Sequence, residues 1–375
     1  MKLRPASLLR LPSGSAALLL HEARTQQLLV QELNNIYDSW GYLPVHTPLV
    51  DFSRAYEGLV PESDLKRVYH LVDRDGEILM LRWDITLFLI KQVRSLLQEG
   101  NLPLRLSYAD SILRHQDDED ISRREYFQTG AELIGLEGPE GDLEIMLLFH
   151  AAMRGLGLSP AIHIGSRQIF ETAFGNLSSA TRDEMISAIL NRDKAAKNEI
   201  WNSEKAQRES GKVDNEALDT LFSHIGTVAE TRALLKSLSP RLSMNLALEV
   251  TRLVDFVERV QALENGMQVR IDFSELGSQH YHSGIVFQAY LDGIDTHIAA
   301  GGRYDNLLAR LGNPAPAVGF SIMLSKLGLI AQSSATRSAE LIELSPSRSA
   351  DKQTSFESRL AEARELRSQG KRVSL

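Results

Sequence analysis

Apolar residues recur at Leu29, Leu33, Ile36 and Trp40, a three-and-four spacing that predicts an amphipathic core helix between about residues 13 and 40, with Gly41 placed to stop it. The next stretch, YLPVHTPLVDF, changes period: Val45, Thr47 and Leu49 alternate as in a strand, which Pro44 and Pro48 confine to an edge or an interface. Residues 68–72 and 78–82 flank Asp73-Arg74-Asp75-Gly76, a hairpin signal in which glycine supplies positive φ. Residues 86–98 read as a helix. Leu104, Leu106 and Tyr108 then alternate into a strand, which a very acidic loop separates from a second, antiparallel strand at 126–134.

Helical periodicity returns at 142–156, and 161–164 is a short strand. Residues 178–266 are charged and helical with few strand formers, which predicts an inserted helical subdomain. Strands resume at Val269, Ile271 and Phe273 and again at Ile285, Phe287, Ala289 and Leu291. The end of the chain is Ser-rich, then helical at 357–368, and reads as a peripheral appendage over 331–375. Antiparallel pairs with grouped helices predict an α+β fold whose core comprises 1–177 and 267–330, and argue against a doubly wound parallel sheet.

Composition narrows the picture. The 375 residues are 43% hydrophobic, enough for a packed core. Zero cysteines exclude disulfides and thiolate zinc sites and fit a reducing cytoplasm. Arg10, Pro12 and Gly14 interrupt the apolar run a signal peptide needs, and no stretch is long and apolar enough to span a membrane. A net charge of -8 argues against a broad electrostatic grip on RNA.

Several clusters can carry chemistry. In LRWDIT, Arg82, Asp84 and Thr86 stand at strand-end spacing, where Asp84 can accept from an ammonium and Thr86 adds a hydroxyl; the same triplet also serves as ordinary helix capping. Within ILRHQDDEDISRREYFQTGAELIG, Arg114 and Arg124 bracket the acidic loop, while Gln128 and Glu132 alternate onto one strand face, toward a site or toward solvent. In HIAAGGRYDNL, Gly301 and Gly302 permit close backbone approach before Arg303, Tyr304 and Asp305, although a turn explains a glycine pair as well. His280, Tyr281 and His282 form a polar aromatic cluster whose histidines would share one side of a strand; without a fixed carboxylate partner a metal site is not expected. P-loop, GxSxG, HExxH and dinucleotide-binding signatures are missing, and no cofactor is expected.

In order, these pieces resemble the catalytic domain of histidyl-tRNA synthetase, a class II synthetase fold with an antiparallel sheet flanked by helices, over roughly residues 5–330. YLPVHTPLVDF resembles the dimer-interface motif 1, LRWDIT resembles LRPEGT, ILRH through FQTGAE resembles motif 2, HYHSGIVF resembles DYYTGTVFE, and AAGGRYDNL is nearly unchanged. The resemblance implies that Asp84, Thr86 and Gln128 receive the α-amino group of histidine and that Glu132 accepts from its imidazole. Tyr281, Gly302, Arg303 and Tyr304 line the pocket, Arg114 is the motif 2 arginine that meets an α-phosphate, and His282 replaces a tyrosine that touches the ring.

The departures fall on the catalytic side. A motif 2 glutamate becomes Gln116, followed by four acids, Asp117 to Asp120, that would repel triphosphate and the tRNA acceptor end. Motif 3 aligns as VGFSIMLSKL, with Lys326 where the family clamps ATP with arginine, and the arginine of RGLDYY aligns onto Gly277. The family's anticodon-binding domain is not matched by residues 331–375. A histidine pocket kept while ATP and tRNA features erode is similar to the ATP phosphoribosyltransferase regulatory subunit family. That similarity implies a catalytically silent chain that self-dimerises and joins a separate short-form catalytic subunit, in a hetero-octamer, to impose histidine feedback without binding tRNA. The alternatives are a trimmed synthetase that still forms histidyl-adenylate and a histidine sensor with another partner.

Overall fold

The computed structural model describes residues 11–60, 65, 67–97, 101–115, 124–203, 214–264, 266–277, 279–327, 341–343, 356–369 and 372–374. The chain opens with helix α1 (His21–Ser39), strands β1 (Leu43–Pro44) and β2 (Val50–Phe52), the hairpin β3 (His70–Val72) and β4 (Ile78–Leu81), and helix α2 (Ile85–Val93). The long hairpin of β5 (Leu104–Leu113) and β6 (Glu125–Ile134) leads to α3 (Gly138–Gly155), β7 (Ala161–Ser166) and α4 (Arg167–Phe174). Helices α5 (Ser179–Leu190), α6 (Lys194–Asn202) and α7 (Asn215–Phe222), the two-residue strand β8 (Ile225–Gly226), α8 (Val228–Leu238) and α9 (Met244–Leu263) follow. Strands β9 (Gln268–Asp272), β10 (Ile285–Tyr290) and β11 (Ala299–Arg303), helix α10 (Asp305–Arg310) and strand β12 (Ala317–Met323) complete the body.

Nine strands form one sheet in the order β1-β5-β6-β12-β11-β10-β7-β9-β8. Its pairs are antiparallel except β1 with β5 and β7 with β9. The expected α+β architecture is therefore observed. Strands β2, β4 and β3 make a second, three-stranded sheet. Among the described residues no helix is long and apolar enough to cross a membrane.

Strand alternation divides the faces. Ala131 and Leu133 of β6 turn to a core shared with Leu29, Leu33 and Tyr37 of α1 and Ile145 and Phe149 of α3, while Gln128 and Glu132 turn to the opposite face. Side chains of α5 to α9, such as Ile186, Trp201, Phe222 and Val254, join this same core. Burial of this apolar surface, at roughly 25 cal/mol per Å², is the main force holding helices to sheet.

Three local expectations need correction. The helix begins at His21 rather than near residue 13, and its buried stripe is Leu29, Leu33 and Tyr37; Ile36 is only partly buried, and Trp40, past the helix end before Gly41 (φ 81), is exposed. YLPVHTPLVDF is not one strand. It supplies β1, which includes Pro44, to the large sheet and β2 to the small one, with Pro48, which lacks a ladder N–H, in the segment between them. His280 to His282 lie in a turn, and β10 starts only at Ile285.

Candidate functional site

The open face of the sheet carries a cleft of about 820 Å³. It is lined by Asp84, Thr86, Arg114, Gln128, Glu132, Tyr281, His282, Gly302 and Tyr304, so nine of the ten residues singled out in the sequence converge.

Asp84 caps α2. Its backbone is extended and its carboxylate accepts from the Leu87 amide at 2.9 Å, the usual geometry of an N-cap aspartate. The other oxygen accepts from the Tyr281 hydroxyl at 3.1 Å. Burial raises the Asp84 pKa, although the Leu87 amide, Arg114 and Tyr281 all pull the other way. Capping and ligand binding are thus not exclusive: one oxygen serves the helix while the other faces the cleft wall.

Glu132 stands in the middle of β6 opposite Gly319 of β12. A Cβ on Gly319 would occupy the space of Glu132 Oε2, so glycine at this register position makes room for the carboxyl. The carboxyl accepts from Thr86 Oγ1 at 2.7 Å and from Tyr304 Oη at 2.6 Å. Burial pushes its pKa up to about 8, against those two hydrogen bonds and with help from nearby Asp84. The rings of Tyr281 and Tyr304 meet edge to face at 5.7 Å between centroids and form an aromatic wall. Burial raises both phenol pKa values well above the ordinary tyrosine value, so each hydroxyl remains a donor.

Arg114 reaches the cleft with Nε donating to the Trp83 carbonyl at 3.0 Å. Lys326 borders it too, its Nζ donating to Thr296 Oγ1 at 2.8 Å and to the His297 carbonyl at 2.9 Å. Gln116 and the four acids Asp117 to Asp120 lie outside the described residues. Among the described residues no group of three or more metal-ligating side chains is present.

Arg303 does not join the cleft. Gly302 faces it, and the next side chain along the strand points behind the sheet, where Arg303 Nε donates to Asp142 Oδ1 at 2.8 Å, Nη1 to Asp305 Oδ1 at 3.0 Å and Nη2 to the Gly138 carbonyl at 3.0 Å. Its role is to hold α3 and α10 to the sheet. Conversely, Glu275, Gln279, Tyr108 and His297 line the cleft although sequence reasoning did not select them. Alternation places Tyr108 on β5 without marking it as a site residue, and no periodicity marks the others, since Glu275 and Gln279 lie on the irregular segment between β9 and β10 and His297 on the turn before β11.

The raised Glu132 pKa has a testable sign. Between its ordinary value of 4.5 and about 8 the folded chain holds a proton that the unfolded chain releases, so this group stabilises the fold less as pH rises across that window. Other buried carboxyls titrate too, so the difference between wild type and Glu132→Gln isolates it. Melting temperatures measured from about pH 5 to pH 9 are expected to fall more steeply for wild type than for Glu132→Gln. Parallel curves would show that Glu132 is ionised in the unliganded protein.

Residues 14–327 match the family model described as Histidyl-tRNA synthetase. The ATP phosphoribosyltransferase regulatory subunit of Moorella thermoacetica is 32% identical over 371 residues, covering 98% of this chain and 92% of that relative. The same-named protein of Symbiobacterium thermophilum is 30% identical over 332 residues, covering 88% and 81%. Among solved structures, an ATP phosphoribosyltransferase regulatory subunit/histidyl-tRNA synthetase from Bacillus halodurans superposes with a TM-score of 0.77 at 22% identity, covering 98% and 92%. Histidyl-tRNA synthetase from Nostoc sp. gives 0.76 at 21%, covering 98% and 85%. At such identities the structural likeness speaks for the fold, that of a class II synthetase catalytic domain, and not for activity.

Proposed function

The chain belongs to the family of ATP phosphoribosyltransferase regulatory subunits and carries the histidyl-tRNA synthetase fold, and from that premise we propose that its cleft binds free histidine to regulate a separate short-form catalytic subunit. Asp84, Thr86 and Gln128 receive the α-ammonium, Glu132 accepts from the imidazole, and Tyr281, His282, Gly302 and Tyr304 enclose the ligand. Arg114 stands near the ligand carboxylate. The chain performs no chemistry itself; the partner transfers phosphoribosyl to ATP, and this subunit activates it and imposes histidine inhibition in the cytoplasm.

One observation supports this reading above others. Two buried carboxyls, Asp84 and Glu132, share one cleft, and burial raises the pKa of both. A ligand bringing an α-ammonium and a ring N–H would compensate both, as amino acids with purely apolar side chains would not. Leu43, Leu49 and Phe52 expose large apolar side chains on the motif 1 segment, which supports self-dimerisation there. Residues 178–266 are read as the inserted segment and 331–375 as an appendage. A hetero-octamer with the catalytic chain, and no engagement of tRNA, complete the proposal.

Regulation requires that histidine prefer one state of the complex, and a coupling of about 1 to 3 kcal/mol gives roughly 5- to 150-fold control. The experiment is calorimetric titration with histidine, alone and with the catalytic subunit, beside an ATP-pyrophosphate exchange assay. Histidine binding without exchange is expected, together with stabilisation of the fold by about 2.7 kcal/mol at a histidine concentration about 100 times Kd. Exchange activity would instead favour a trimmed synthetase, and absence of binding in both settings would remove the sensor role.

A further inference from the structure

Behind the sheet lies a second cavity of about 1010 Å³, walled by α9, by the N-terminal ends of α3 and α4, and by α10 with the loop before β12. None of the roles above uses it. Gly302 and Tyr304 line the cleft, whereas Arg303 and Asp305 line this rear cavity, so one stretch of chain walls both and a ligand in one does not occupy the other. Leu253, Phe256, Ile285 and Pro316 give the rear cavity an apolar lining.

One polar group in it is unused. Ser166 ends β7, stands at the N-cap of α4 and is 8% exposed. Serine at an N-cap ordinarily accepts from an amide of the first turn, yet this one caps nothing, and among the described residues its hydroxyl has no hydrogen-bond partner. Ile162 and Ile164, on the same face of β7, are buried in the core, and Ser166 carries that face on into the cavity. The first-turn amides of α4 are left without a side-chain cap at the positive end of the helix dipole. A buried hydroxyl beside such amides suits an anionic oxygen, because every group then donates.

The acids around the cavity are mostly held by cations already: Asp142 and Asp305 by Arg303, Glu249 by Arg252, and Asp255 by Arg232. Glu137 remains, and it is exposed, where solvent and salt screen it. Arg259, one turn beyond Asp255 on α9, lines the cavity and pairs with no acid among the described residues. We propose that the rear cavity is a second ligand site, for a small molecule that sets a carboxylate or phosphate on the Ser166 hydroxyl and the α4 N-terminus and lays an apolar body against Leu253, Phe256, Ile285 and Pro316. A mostly apolar hollow with a few polar groups at one end fixes the orientation of such a ligand. The proposal stands independently of the histidine reading of the cleft.

The test is equilibrium dialysis of the full chain against benzoate and phenyl phosphate, with phenol and inorganic phosphate as controls, in wild type, Ser166→Ala and Arg259→Gln. At least one aromatic anion is expected to bind wild type with a Kd below about 1 mM and about 10-fold more tightly than either control. Which of the two binds better tells a carboxylate site from a phosphate site. Ser166→Ala is expected to weaken that anion about 10-fold and Arg259→Gln about 3-fold, and saturating histidine not to displace it. Three results in wild type overturn the site: neither anion binds, phenol binds as tightly, or histidine displaces the probe and so places it in the cleft. Unchanged affinity in folded Ser166→Ala overturns it as well. If that variant does not fold, unchanged affinity in Arg259→Gln, altered only at an exposed side chain, does the same.

Discussion

Replacing Glu132 with alanine is expected to weaken histidine binding by at least about 100-fold and to abolish histidine inhibition of the assembled complex. The expectation follows from position. Glu132 is 1% exposed, lies opposite the one strand residue that leaves it room, and is oriented by hydroxyls on two other elements, Thr86 of α2 and Tyr304 ahead of α10. A ligand N–H meeting that carboxyl gains a hydrogen bond in a dry site, and without it the same N–H is buried unpaired. Truncation also strands the Thr86 and Tyr304 hydroxyls, costing about 1 to 3 kcal/mol of stability, which a denaturant titration would separate from binding. Assembly with the catalytic subunit, followed by sedimentation, is expected to persist. Retained inhibition would place the histidine reader elsewhere, and lost assembly would make Glu132 a structural residue.

Much of this site was legible because β-strands transmit sequence order into geometry. Gln128 and Glu132 are four apart on one strand, so period-two alternation sends both to one face, and the antiparallel partner needed only the acidic stretch between two alternating segments to be recognised. Asp84 was legible as a cap, and it is one. The same alternation, applied strictly, would have sent Arg303 away from Gly302; the resemblance drew it into the pocket, and the strand puts it behind the sheet.

Other elements were illegible for physical reasons. The YLPVHTPLVDF pattern carries strand periodicity, but Pro44 and Pro48 remove ladder donors, and the segment divides between two sheets that only tertiary pairing distinguishes. Glu275 follows β9 on a turn where its own amide bonds to the Asp272 carbonyl at 3.0 Å. Its placement depends on the positive φ of Gly277, and no periodicity announces a side chain set by a turn. For the same reason His280 and His282 do not share a strand face: His280 is exposed, and His282 is folded against Gly277.

Arg303→Met is expected to lower stability by about 3 to 5 kcal/mol while leaving the histidine affinity of the folded protein within about twofold of wild type. The guanidinium is 9% exposed and its acceptors are Asp142, Asp305 and the Gly138 carbonyl, so methionine fills much of the volume but leaves Asp142 buried without its cation. Burial already raises the Asp142 pKa while Arg303 lowers it, so removing Arg303 moves the carboxyl further toward its protonated form. The destabilisation is therefore expected to shrink at acid pH, where the lone carboxyl is neutral, and to be partly relieved in the double variant Arg303→Met with Asp142→Leu. Denaturant unfolding at two pH values measures the first effect, and calorimetry with histidine measures the second. A variant that is stable but no longer binds histidine would show that Arg303 acts on the cleft face despite its partners behind the sheet.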